Sequence, residues 1–174
     1  LRNAGLWRTT PRKFEYEAIL RSELFSAEQM AAHGTFLAQH HALSPRSGND
    51  TLLGGSGDDL IWGAEGSDQL SGDAGNDVLY GGTGGDVMDG GTGRDTLFGG
   101  SGADVFVFQQ GDGIDSLRDF QNGVDRLQVE GVRGFSALAF SAAVGGTWVD
   151  YGNGAVYVSG MTRGQFDASD FVFA

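Results

Sequence analysis

The sequence predicts a mainly β protein: a parallel coil of short strands, closed by an antiparallel β cap and preceded by a short helical segment. Three observations carry this. A nine-residue unit repeats seven times without slip between Pro45 and Val107. The eighth place of every unit is apolar. The chain holds 31 Gly and only 2 Pro, the composition of tight turns rather than of polyproline.

Residues 1–44 differ in kind from the repeats and read as a helical segment or linker. Thr10-Pro11 has the form of a helix start, Thr as the N-cap and Pro at the first position. Phe14, Ala18, Leu20, Leu24 and Phe25 then fall roughly on one face. Ser26 and Gln29 have capping-box spacing and open a second expected helix through about His40, interrupted by Gly34. His33, His40 and His41 lack the spacing and carboxylate partner of a helical metal site and read as surface or packing residues.

Residues 45–107 are the repeats. Units begin at Pro45, Gly54, Gly63, Gly72, Gly81, Gly90 and Gly99. Their sixth place is Asp50, Asp59, Asp68, Asp77, Asp86, Asp95 and Asp104. Their eighth place is Leu52, Ile61, Leu70, Leu79, Met88, Leu97 and Phe106. The first six residues of a unit make a turn. The last three make a short strand whose single apolar side chain points inward. Two units complete one circuit, and stacked circuits pair their strands in parallel. Asp50, Asp68, Asp86 and Asp104 are then expected along one edge, and Asp59, Asp77 and Asp95 along the other.

Stacking at the strand spacing of about 4.8 Å sets like charges against each other, at roughly 1 kcal/mol per pair even in water. One buried apolar side chain per unit, about 1.5–3 kcal/mol, offsets little of the chain entropy. A divalent cation between turns reverses that balance. The available ligands are carboxylates and turn carbonyls, with no Cys or His in the repeats, a set that selects Ca²⁺ over zinc or copper.

The unit resembles the G-G-x-G-x-D-x-U-x nonapeptide of RTX proteins, a pattern already associated with Ca²⁺. The resemblance implies a parallel β-roll with ions between successive turns, roughly five in all. The implied ligands are the seven aspartates with the turn glycines Gly48, Gly55, Gly57, Gly66, Gly75, Gly82, Gly84, Gly91, Gly93, Gly100 and Gly102. Departures stand out. The first unit opens Pro45-Arg46-Ser47, Ala64 and Asp73 replace the second glycine, and Arg94 sits beside Asp95, where it is expected to weaken binding.

Residues 108–174 read as a capping region. Gly111 to Phe120 is similar to the segment that closes the roll in serralysin-type proteins, which implies that Asp112, Asp115 and Asp119 complete the last calcium sites or serve as turn and cap residues. Short strands are expected at 126–129, 138–140, 147–151 and 155–158, with glycine-rich turns between the last three. The ending Asp170-Phe-Val-Phe-Ala174 resembles the C-terminal signal read by type I secretion machinery.

Composition narrows function. A net charge of −12 and a pI near 4.4 disfavour nucleic acid as a partner. No apolar run is long enough for a transmembrane helix. The absence of Cys fits an exported protein stabilised by metal. The chain opens on Leu1 with no signal peptide and its first Met at 30, so it reads as a piece of something longer. Neither H-E-x-x-H nor G-x-S-x-G occurs, so no enzyme activity is expected of this chain. The leading expectation is a secreted bacterial calcium-binding module whose folding supports type I secretion and stabilises an attached effector. One alternative is a polysaccharide-binding or adhesion module, using Trp62, Tyr80, Phe98, Trp148 and Tyr151. The other is the C-terminal part of a secreted hydrolase such as a protease or lipase.

Overall fold

A computed structural model describes residues 35–37, as a backbone strand, and residues 47–174. The strands are β1 (Thr35–Leu37), β2 (Thr51–Leu53), β3 (Leu60–Glu65), β4 (Gln69–Ser71), β5 (Ala74–Gly75), β6 (Val78–Thr83), β7 (Val87–Asp89) and β8 (Thr92–Gly93), then β9 (Thr96–Ser101), β10 (Val105–Phe108), β11 (Ile114–Leu117), β12 (Arg126–Val129), β13 (Ala139–Ala143), β14 (Gly146–Asp150), β15 (Ala155–Ser159) and β16 (Phe171–Phe173). Alternate units feed alternate sheets. One sheet runs β1-β2-β4-β7-β10-β12-β16, the other β13-β14-β15-β11-β9-β6-β3, and β5 pairs with β8 at a turn.

The eighth-place residues form the core, as a period of two within each strand dictates. Leu52, Leu70, Met88, Phe106, Leu127 and Phe171 lie opposite one another across the first sheet. Ile61, Leu79, Leu97, Leu117 and Val158 do so across the second. All are buried, and the two rows pack into a single apolar cluster.

Two details differ from the sequence-based expectation. The expected helix through about His40 does not include Thr35–Leu37, which form β1, parallel to β2. Gly34 breaks the helical pattern, Thr and Phe favour strands, and the exposed edge of β2 offers a pairing partner. The rest of that helix, the helix from Thr10 and the three histidines lie outside the described residues. Arg126–Val129 is not part of an antiparallel cap either. It is a parallel strand between β10 and β16, because Asp125-Arg126-Leu127 repeats the aspartate-to-apolar spacing of a unit. Among the described residues antiparallel pairing is confined to β13, β14 and β15, and β15 returns to parallel pairing with β11.

An aromatic cluster closes the C-terminal end. Phe166 and Phe171 have ring centroids 5.9 Å apart, Phe140 lies 5.5 Å from Phe166, and the Arg163 guanidinium sits 4.2 Å over the Phe140 ring. Among the described residues no helix is long and apolar enough to cross a membrane.

Candidate metal centre

The turns place the aspartates in two columns. Each carboxylate precedes a strand, except that of Asp115, which lies within β11. The carboxylate Oδ1 accepts the backbone N–H of the aspartate one circuit earlier. Along one edge Asp50 donates to Asp68 at 2.8 Å, Asp68 to Asp86 at 2.8 Å, Asp86 to Asp104 at 2.9 Å and Asp104 to Asp125 at 3.1 Å. Along the other Asp59 donates to Asp77 at 2.7 Å, Asp77 to Asp95 at 2.8 Å and Asp95 to Asp115 at 3.0 Å.

The second oxygen of each interior carboxylate is the informative one. Oδ2 of Asp68, Asp77, Asp86, Asp95 and Asp104 is buried with no hydrogen-bond partner. A buried acceptor left unmatched costs about 1–3 kcal/mol, and more when charged. Five in register is a pattern that a ligand explains. The first-place glycines show what surrounds them. A Cβ added at Gly54 would lie 2.7 Å from the Gly72 carbonyl oxygen and 2.8 Å from Asp59 Oδ2. At Gly63, Gly72 and Gly81 the same added atom would meet the unit's own Oδ2 and the carbonyl of the first-place glycine one circuit on. Carboxylate and carbonyl oxygens therefore converge against each of these glycines so closely that any side chain there would displace them. That donor set, hard and anionic, fits Ca²⁺.

Burial, then the stacked neighbouring carboxylates, raises the proton affinity of the columns despite the N–H each accepts. Asp77 and Asp86 are pushed up to about 6, and Asp95 and Asp115 to about 7. Asp68, Asp104 and Asp125 are raised for the same reason.

The family comparison matches residues 46–79 and 80–117 to the RTX calcium-binding nonapeptide repeat (four copies). The AlgE6R2 subunit from the Azotobacter vinelandii mannuronan C5-epimerase is 31% identical, with a TM-score of 0.52, covering 75% of this chain and 93% of that one. The chain belongs to the RTX calcium-binding repeat family. The extracellular lipase LipA from Serratia marcescens shares the RTX chain's fold at 16% identity and a TM-score of 0.51, covering 73% of this chain and 38% of the lipase. The RTX chain thus spans under two fifths of that enzyme. No curated protein sequence matches it.

Of the expected closing residues, Asp115 lies in the Asp59 column, while Asp119 accepts the N–H groups of Gly99 and Gly100 at 2.9 and 3.0 Å and so caps a turn. Asp112 Oδ2 accepts the Gln109 N–H at 2.5 Å. Sequence reasoning missed Asp125 and the first-place glycines. The nine-residue count loses Asp125 because it follows Asp104 by 21 residues, yet its Asp-x-Leu spacing was visible. Arg94 acts on a neighbour further along than expected: its charge lowers the proton affinity of Asp115 against the effect of burial.

Trp62, Tyr80 and Phe98 form a ladder on the outer face, with centroids 5.7 and 4.6 Å apart and planes within 12° and 9°. The flat faces that would stack on a sugar are turned onto each other. Tyr151, expected at the surface, is buried against Phe108, because it continues the alternation that turns Thr147 and Val149 of β14 inward.

Proposed function

We propose that the RTX chain is a calcium-gated folding module for an attached, secreted bacterial effector. The repeats of residues 45–107 are the body of the ion-binding roll, β1 extends one sheet at its start, and residues 108–174 both extend its columns through Asp115 and Asp125 and close it. The ligands are the carboxylates of Asp50, Asp59, Asp68, Asp77, Asp86, Asp95, Asp104, Asp115 and Asp125, with turn-glycine carbonyls between circuits. The two columns, of five and four aspartates, give seven intervals for ions, two beyond the roughly five that the repeats alone imply. The observation that carries this is the register of buried, unmatched Oδ2 atoms beside glycine carbonyls.

When bound, Ca²⁺ neutralises the stacked carboxylates, and its binding free energy becomes folding free energy. At low cytosolic calcium the chain stays open and threadable through type I machinery; in millimolar calcium outside the cell it folds. The C-terminal signal is then read before closure, since Asp170 and Phe171 are buried in the folded roll.

Far-UV circular dichroism during a Ca²⁺ titration, with Mg²⁺ as control, tests this. A cooperative coil-to-β transition specific to Ca²⁺ is expected. A fully folded spectrum in excess chelator at neutral pH refutes the gating.

A further inference from the structure

The fifth place of the units carries a second ladder, opposite in sense to that of the aspartates. Along one edge Asn49 Oδ1 accepts the backbone N–H of Ser67 at 2.9 Å, and Ser67 Oγ accepts that of Gly85 at 3.3 Å. Along the other Asp58 Oδ1 accepts the N–H of Asn76 at 2.8 Å, and Asn76 Oδ1 accepts that of Arg94 at 3.2 Å. The column aspartates accept from the circuit before them. The fifth-place side chains accept from the circuit after them.

These bonds fix peptide planes. Each bonded N–H belongs to the peptide that carries a fourth-place carbonyl, and across a trans peptide the two point in opposite directions. Where the N–H is turned back, the carbonyl is thrown forward. This holds at all four positions. A Cβ added at Gly84 would collide with the Gly66 carbonyl oxygen, at Gly93 with that of Gly75, at Gly102 with that of Gly84, and at Gly113 with that of Gly93. Among the described residues no backbone N–H bonds the Gly66 or Gly84 carbonyl. Gly66, Gly75, Gly84 and Gly93 themselves have φ between 122° and 150°, where a glycine is least restricted, so the orientation has to be imposed from outside. A carboxamide, a hydroxyl and a carboxylate impose it alike. What they share is an acceptor within reach, not a charge. Gly85, Arg94 and Ala103 hold the later fifth places, and none of them has a side-chain acceptor. The ladder ends there.

We propose that Asn49, Asp58, Ser67 and Asn76 are positioning residues for calcium. They aim the carbonyls of Gly66, Gly75, Gly84 and Gly93 at the following circuit as the turns stack, which removes part of the ordering cost from ion binding. They act through these carbonyls and not as ligands. The inference rests on the calcium reading of the columns.

Equilibrium dialysis of ⁴⁵Ca²⁺ against the full chain, Asp58→Asn and Asp58→Ala tests it, with circular dichroism confirming that each is folded at saturation. Asp58→Asn keeps the acceptor and loses the charge, whereas Asp58→Ala loses both. Binding weakened by about three- to tenfold in Asp58→Ala, with Asp58→Asn close to wild type, is expected. The ¹³C carbonyl resonance of Gly75 in the calcium-loaded chain adds a readout that lowered stability alone does not move. It is expected to shift in Asp58→Ala and to stay in place in Asp58→Asn. Unchanged affinity or an unmoved Gly75 resonance in Asp58→Ala overturns the proposal. So does an equal change in both variants, which makes the charge the cause. If Asp58→Ala does not fold, Ser67→Ala against Ser67→Asn, read at Gly84, carries the same outcomes. A wild-type chain that binds no Ca²⁺ at all defeats the calcium reading itself, a result distinct from wild-type binding that the variants leave unaltered.

Discussion

Asp86 is shared between two intervals, accepting from Asp68 and donating to Asp104. Asp86→Asn keeps the hydrogen bonds but removes a charge from both intervals. It is expected to lower Ca²⁺ stoichiometry by up to two and raise the midpoint of the folding titration, read by circular dichroism. Gly72 makes a steric point instead. Its added Cβ would meet Asp77 Oδ2 and the Gly90 carbonyl, so Gly72→Ala is expected to destabilise the calcium-loaded roll by about 1–3 kcal/mol, measured by denaturant unfolding. Ala64 predicts the opposite sign. It adopts φ 79° where four of the seven units carry glycine, a left-handed conformation costing an L-residue about 1–2 kcal/mol. Ala64→Gly is therefore expected to raise stability by up to about 1 kcal/mol.

At the scale of the element, the pH response belongs to the columns. Folded pKa values near 6 for Asp77 and Asp86 and near 7 for Asp95 and Asp115 lie above the ordinary 3.8. The folded, metal-free roll then binds more protons than the unfolded chain. Its stability rises as pH falls from about 7 towards 4 and is lost as pH rises through the folded values. In excess chelator, β signal at pH 5 is expected to exceed that at pH 7.5. With Ca²⁺ present the trend reverses, since protons compete for the same oxygens and the calcium midpoint rises on acidification. The strands were legible where a single rule wrote them. The interior of the roll comes from period nine and one apolar place, down to which aspartates share an edge. The ends did not. Thr35–Leu37 is a strand because a partner edge recruits it, and β12 joins the roll after a long connection that hides its place in the count. The site was legible as a set of carboxylates, but the approach of carboxylate and carbonyl oxygens to the first-place glycines exists only once circuits stack.

For the whole molecule, the C-terminal aromatic cluster closes the roll by apolar packing. Phe171 faces Leu127 across the sheet and packs among Phe135, Phe140 and Phe166. Phe171→Ala is expected to cost about 3–5 kcal/mol and to move the calcium midpoint upward, because the roll loses its closed end. The same midpoint measurement at rising ionic strength reports how much of the barrier is the self-repulsion of a chain with net charge −12.

The alternation of units between two edges has a consequence for how such a chain lengthens or shortens. Asp115 and Asp125 are each built to continue one particular column. Excising residues 72–89 removes a whole circuit and leaves every downstream aspartate on its own side. Excising residues 72–80 alone exchanges left for right in everything beyond, so that the closing segments meet the wrong columns. Nine residues are the unit of spelling, but eighteen are the unit of inheritance, and duplications or losses within this chain are constrained to even parity.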